Sequence, residues 1–239
     1  MRYRSRTLAR TTTTVVCCLL PAISCRDYSN IAKVAGPPAA IVIFGGSSQQ
    51  APAGTDLPAQ LIVHVIDASA LPIKGQLVAF RVTSGGGSVV SGASLTTDLG
   101  EAREQWKLGT IVSDSQRVEA RAVNSAGETI VATTFTAQAL PGPAKQLIKV
   151  AGDLQSGAAA TAVSTAPVVR VADQYGNGVP GVLVTFAASA GGAVAPATVT
   201  TSSSGLASTG WTLGPAPGVN TLTVSAAGLT TATFTATGH

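Results

Sequence analysis

Hydrophobic and polar side chains alternate with a period of two through most of the chain. In Leu61–Asp67 (LIVHVID) the residues Leu61, Val63 and Val65 share one face, and Ile62, His64 and Ile66 share the other. In Gln76–Thr83 (QLVAFRVT), Val78, Phe80 and Val82 fall on one side while Leu77, Ala79 and Arg81 fall on the opposite one. Ala102–Leu108 (AREQWKL) sends Arg103, Gln105 and Lys107 outward and Trp106 and Leu108 inward. Turn formers interrupt these runs at short intervals: DASALPIKG, SGGG, TDLG and NSAG, then DQYGNGVPG, SAGG, SSSG and PAPG. No helical period of useful length is present. Gly157–Val163 (GAAATAV) has helix propensity, but it is short and matches the loop APAGTDL. The pattern predicts many short strands joined by tight turns.

The pattern is also written twice. At a shift of 106 positions, IVIFGG (41–46) falls on LIKVAG (147–152), VHVID (63–67) on VRVAD (169–173), and VAFRV (78–82) on VTFAA (184–188). After SGGGSV meets SAGGAV the shift becomes 105, and Trp106-Lys-Leu-Gly109 lands on Trp211-Thr-Leu-Gly214. TTFTA (133–137) then meets ATFTA (232–236). The two tryptophans are therefore one structural position in two copies of one domain. About seven strands per 100 residues describes an all-β protein of two tandem immunoglobulin-like β-sandwiches. Residues 37–141 form the first and 142–239 the second. Trp106 and Trp211, with Phe80 and Phe186, are expected to anchor the cores, because large rings supply buried area where aromatics are scarce. The join QALPGPAKQ holds two prolines and a glycine with no spacer, which predicts a stiff, end-to-end pair.

Composition agrees with the pattern. Charged residues are 11% of the chain where about 25% is usual, and β-branched residues and turn formers take their place. The isoelectric point near 9.2 suggests a nucleic-acid partner until the charges are located. Arg2, Arg4, Arg6 and Arg10 lie in the first ten residues; removing them leaves 11 basic residues against 11 acidic ones. With no basic stripe interleaved with aromatics, nucleic acid is excluded as a partner at this stage.

Those arginines open a segment that reads as an export signal. A cationic stretch precedes the apolar TTTTVVCCLLPAIS, which is too short to span a bilayer. It runs into AISC, which resembles a bacterial lipobox with Ala22 where Leu is usual. The expectation is a lipoprotein-type signal peptide over residues 1–24, lipid attachment and hence a membrane contact at Cys25, and a tether over 25–36. All three cysteines, Cys17, Cys18 and Cys25, lie in this segment, so the body must be stabilised without disulfides. Arg26, rather than Asp, follows Cys25, which under the lipoprotein sorting rule favours the outer membrane.

The chemistry of catalysis is thin. His64 and His239 belong to different domains, so they assemble no His/Cys metal site, and no G-x-S-x-G elbow accompanies the serines. Glu101, Glu104 and Asp98 could be imagined as paired carboxylates. The second copy replaces them with Leu206, Thr209 and Ser203 or Ser204, and they read as a solvated strand entrance. DQYGNG (173–178) approaches a calcium loop, but Tyr175 replaces an oxygen ligand and Val184 stands in place of the bidentate Glu. A turn built by Asp, Asn and Gly accounts for it, with a weaker calcium site at the domain junction as the alternative. SGGG is read as a hairpin rather than a phosphate cradle. No catalytic residue, cofactor or metal ligand is therefore expected. Residues 37–141 carry six basic and eight acidic residues; residues 142–239 carry three and two. The second domain thus presents an almost uncharged Thr/Ser/Ala surface, either packed on a partner or kept soluble by its hydroxyls.

These motifs in combination resemble the tandem bacterial immunoglobulin-like domains of the invasin and intimin group, which are cell-surface adhesins. The likeness rests on VADQYGNGVPG followed by VLVTF, the Gly-rich run, TTDLGEA and TSSSGLA, the W-x-L-G strand and the closing F-T-A. It covers residues 37–239. The resemblance implies a non-enzymatic structural or adhesive module of the cell envelope or surface, with a protein or polysaccharide partner left open. The alternative is a carbohydrate-binding accessory module beside an envelope enzyme, which a row of exposed aromatics would favour; Tyr175 is the one candidate.

Overall fold

The computed structural model describes residues 34–239. The expected signal peptide, the lipid attachment point Cys25 and most of the tether lie outside the described residues. Residues 35–239 cluster as one compact unit, and all regular structure among the described residues is strand.

The first ten strands are β1 (Ala40–Gly45), β2 (Gln49–Pro52), β3 (Leu61–Ile66), β4 (Leu77–Ser84), β5 (Ser88–Val89), β6 (Ala93–Leu95), β7 (Glu101–Glu104), β8 (Trp106–Lys107), β9 (Gln116–Val123) and β10 (Thr129–Leu140). They are repeated as β11 (Gln146–Ala151), β12 (Gln155–Gly157), β13 (Val168–Ala172), β14 (Leu183–Ala188), β15 (Ala193–Ala195), β16 (Thr198–Thr200), β17 (Leu206–Ser208), β18 (Gly210–Thr212), β19 (Gly218–Ala226) and β20 (Ala232–Gly238). A three-stranded sheet β1-β3-β7 and a five-stranded sheet β2-β10-β9-β4-β6 make the first set. The sheets β11-β13-β17 and β12-β20-β19-β14-β16 make the second. Each set shares one apolar core to which both of its sheets contribute: Leu61, Val63 and Val65 face Val78, Phe80, Val118 and Phe135 in the first. Val169 and Val171 face Val184, Phe186, Leu222 and Phe234 in the second. This is the two-layer packing of an immunoglobulin-like sandwich. Trp106 and Trp211 are fully enclosed in the respective cores.

Ten strand segments per sandwich exceed the seven or so that the pattern predicts, for two reasons. The opening strand changes sheets: β1 pairs antiparallel with β3, and after left-handed residues at Gly46 and Ser48 the chain continues as β2, parallel to β10. β11 and β12 repeat the step through Gly152 and Leu154. Each sandwich also carries a two-stranded ribbon, β5-β8 and β15-β18.

That ribbon corrects the reading of SGGG as a hairpin. β5 leaves β4 and pairs with β8 instead. The glycine run carries the chain across so closely that a Cβ at Gly109 would overlap the carbonyl oxygen of Gly85; Gly214 stands in the same relation to Ala190. The phrase W-x-L-G therefore has a physical cause. The Trp and Leu fill the core, and the Gly leaves room for the crossing backbone.

Candidate functional site

Each sandwich begins with the same brace. The strand that centres the three-stranded sheet ends in an aspartate, Asp67 after β3 and Asp173 after β13. Asp67 Oδ2 accepts the Gly36 N–H at 2.8 Å, and its Oδ1 accepts the N–H groups of Ser69 and Leu71 at 2.8 and 2.9 Å. Asp173 repeats this with Gly142 at 2.9 Å, Tyr175 at 2.8 Å and Asn177 at 2.9 Å. One carboxylate thus closes the turn and fixes the segment leading into the sandwich. Burial opposes ionisation of Asp173, but the Asn177 side-chain amide and the N–H groups of Gly142, Asn177 and Tyr175 hold its carboxyl below the usual range.

The second brace does something the first does not. Asn177 Nδ2 donates to Asp173 Oδ2 at 2.9 Å and to the Thr110 carbonyl at 2.8 Å. Its Oδ1 accepts the Val112 N–H at 3.2 Å. Tyr175 lies over Gly54, so closely that a Cβ there would sit 2.5 Å from the phenol oxygen. The linker itself is residues 141–145, between the end of β10 and the start of β11. Gly142 donates to Asp173 and Lys145 to the Ala172 carbonyl. The turn after β13 is therefore a clasp on the loop after β8. In the first sandwich the matching positions are Ser69 and Leu71, which have no such amide or phenol. The clasp also answers the calcium alternative: the Asp173 oxygens are ringed by N–H donors, whose dipoles repel a cation, and Asn177 Oδ1 already accepts a hydrogen bond. Among the described residues no group of three or more His, Cys, Asp or Glu side chains is placed to hold a metal.

The three acids of the supposed strand entrance separate. Asp98 is exposed and pairs with Lys74 at 2.5 Å, and that carboxylate raises the Lys74 pKa. Glu101, on β7, bridges Arg103 at 2.8 Å and His64 Nε2 at 3.1 Å; the Arg103 guanidinium, then His64, hold its carboxyl below the usual range. Glu104 overturns the solvated reading, being only 3% exposed. Its carboxylate accepts the N–H groups of Ser91, Gly92 and Gln105 at 3.1, 2.7 and 2.9 Å. It serves as a buried cap on the β5–β6 loop.

The outer face of the sheet β1-β3-β7 holds an aromatic that the sequence reading passed over. Phe44 is 64% exposed and stacks on the His64 ring, with centroids 4.2 Å apart and planes 10° from parallel. Alternation along IVIFGG carried the signal, since Ile41 facing inward sends Val42 and Phe44 outward. Tyr175 is 45% exposed, but it lies on the clasp and not on this face. The two aromatics form no row. Phe80 and Phe186 face the cores, and the backbone N–H of His239 donates to the Gly157 carbonyl at 3.0 Å.

No family model and no curated protein matches the chain. Among solved structures it is similar to FdeC, an Escherichia coli adhesin, with a TM-score of 0.47 and 18% identity over 86% of this chain and 67% of that one. It is similar to the D00–D0 domain of intimin, with a TM-score of 0.41 and 17% identity over 82% of this chain and 99% of that one. A glycosyl hydrolase family 2 member from Bacteroides cellulosilyticus follows, with a TM-score of 0.37 and 13% identity over 78% of this chain and 23% of that one.

Proposed function

We propose that the chain is a non-enzymatic module of the cell envelope that holds two immunoglobulin-like sandwiches in a fixed relation and offers their sheet faces to a partner. The observation that carries this reading is the clasp. A linker of residues 141–145, hydrogen-bonded at Gly142 and Lys145, and a buried Asn177 that ties the second sandwich to Thr110 and Val112 suit a spacer whose ends must stay oriented. The polar side chains with most catalytic promise are already engaged: Glu101 with Arg103 and His64, Glu104 with backbone N–H groups, Asp173 with its turn. The proposal includes export, and a lipid on Cys25 that holds the body at the outer membrane or cell surface.

Protease shaving of intact cells tests the placement. Loss of the protein band with a periplasmic control intact supports a surface module, and Cys25→Ser should then release the chain from the membrane fraction. A band cleaved only after lysis would remove the adhesive reading.

A further inference from the structure

The outer faces of the two five-stranded sheets share a backbone and differ in chemistry. In the first sandwich Arg81 on β4 lies opposite Glu119 on β9, and Arg117 and Arg121 flank Glu119 two residues away on either side. Period two puts all four on the face turned from the core, whose inward positions are Val118, Ala120, Val78 and Phe80. Thr134 and Thr136 of β10 pair with Glu119 and Arg117 and extend the face. Beyond them Gln50 donates to Gln138 at 2.9 Å across β2 and β10. Three arginines thus share this face with one glutamate. Arg121 Nε lies 3.5 Å from Glu119 Oε2 and makes no hydrogen bond, while Arg81 and Arg117 enter no ion pair among the described residues. The β9–β10 hairpin adds one more carboxylate, Glu128, which Asn124 holds at 2.8 Å. At the positions of Arg81, Arg117, Glu119 and Arg121 the second sandwich has Ala187, Thr221, Thr223 and Ser225.

We propose that this face of the first sandwich binds an acidic polysaccharide, its carboxylates received by Arg81, Arg117 and Arg121 and its hydroxyls by Thr134, Thr136 and the Gln50–Gln138 pair. The charge balance selects an anion, and guanidiniums take carboxylates in bidentate pairs. The neighbouring hydroxyls and amides select a polar, hydroxyl-rich chain. The four charged side chains and their threonine neighbours include no aromatic on which a base could stack, which disfavours single-stranded nucleic acid. The inference deepens the adhesive reading and rests on it.

The test is binding of the full chain to polygalacturonate, with neutral dextran, polyglutamate and a DNA duplex as comparators, read by affinity electrophoresis at low and moderate salt. Arg81→Glu with Arg117→Glu should weaken polygalacturonate binding about tenfold or more. Lys74→Glu with Lys107→Glu changes net charge equally and should leave binding within about twofold, because both lysines lie off this face. Thermal midpoints of both variants check that they fold. Equal losses in the two variants, no binding by the wild type, or tighter binding of polyglutamate or DNA would each overturn the proposal. Binding in solution does not depend on where the chain resides, so these results leave the shaving test independent.

Discussion

The two sandwiches solve one packing problem with the same apolar parts and different polar ones. Trp106 and Trp211, Leu108 and Leu213, and Phe80 and Phe186 occupy matching buried positions. Behind the tryptophan strand the solutions part. In the first sandwich the β5–β6 loop turns the N–H groups of Ser91 and Gly92 inward, and Glu104 accepts both. In the second the residue matching Ser91 is Pro196, which has no N–H to offer, and the residue matching Glu104 is Thr209, whose hydroxyl donates to the Pro196 carbonyl at 2.7 Å. A loop that presents donors receives an acceptor, and one that presents an acceptor receives a donor. The apolar core tolerates little change of shape, whereas the polar partner follows whatever the local backbone leaves unsatisfied.

The largest expected effect breaks the equivalence of the two cores. Trp106→Ala or Trp211→Ala should each cost about 3–5 kcal/mol, through lost burial and the cavity left behind. Because the chain has two tryptophans, each variant keeps one fluorescent reporter, which sits in the other sandwich. If the cores are separate, the remaining Trp should report a nearly unchanged urea midpoint while circular dichroism shows a second, earlier transition. A single shared transition would mean that the sandwiches unfold as one. Trp→Phe should cost much less than Trp→Ala, since neither indole N–H has a hydrogen-bond partner to lose.

A smaller effect sharpens the contrast behind the tryptophans. Glu104→Thr strands the part-buried N–H groups of Ser91 and Gly92 beyond the reach of a shorter side chain and should cost about 2–4 kcal/mol. Thr209→Val removes one hydroxyl shared between the Pro196 and Gly210 carbonyls and should cost about 1 kcal/mol. Chemical denaturation followed by the nearer tryptophan measures both. Equal costs would mean that the two arrangements are interchangeable.

Much of this architecture was legible in the sequence because it rests on side-chain period and on glycine. The alternation in LIVHVID fixes which of Leu61 to Ile66 are buried, and the two W-x-L-G phrases mark a close backbone crossing. Glu104 was not legible. It falls on the inward parity of its strand, as alternation indicates, but nothing local says that a loop 12 residues upstream in sequence turns two N–H groups toward it. Asn177 was legible only in part, for a related reason. DQYGNG reads as a turn built by Asp, Asn and Gly, and the hydrogen bonds of Asn177 to Asp173 bear that out, but its further tie depends on Thr110 and Val112, more than 60 residues away. Phe44 could have been found by carrying the alternation through IVIFGG. Arg81 was placed outward, but its company on the face depends on the register of β4 with β9, which period alone leaves open.

The smallest expected effect concerns the joint. Asp173 has a lowered carboxyl pKa in the fold, so the stability it contributes is present above the unfolded value of about 4 and is lost as pH falls through the lower folded value. Acidification below about pH 4 should therefore loosen the turn of the second sandwich, and Asp173→Asn should remove that part of the pH dependence. Asn177→Ala isolates the clasp from the turn. The Asp173 hydrogen bonds to Gly142 and Tyr175 need no Asn177 side chain, whereas those to Thr110 and Val112 do. Its cost to the second core should be at most about 1 kcal/mol. Residual dipolar couplings from the two sandwiches should nevertheless stop fitting a single alignment tensor, because the amide that ties one to the other has gone. If they still fit one tensor, the linker and the Tyr175–Gly54 contact suffice to fix the relation, and the asymmetry between Asn177 and Leu71 is not what sets the joint.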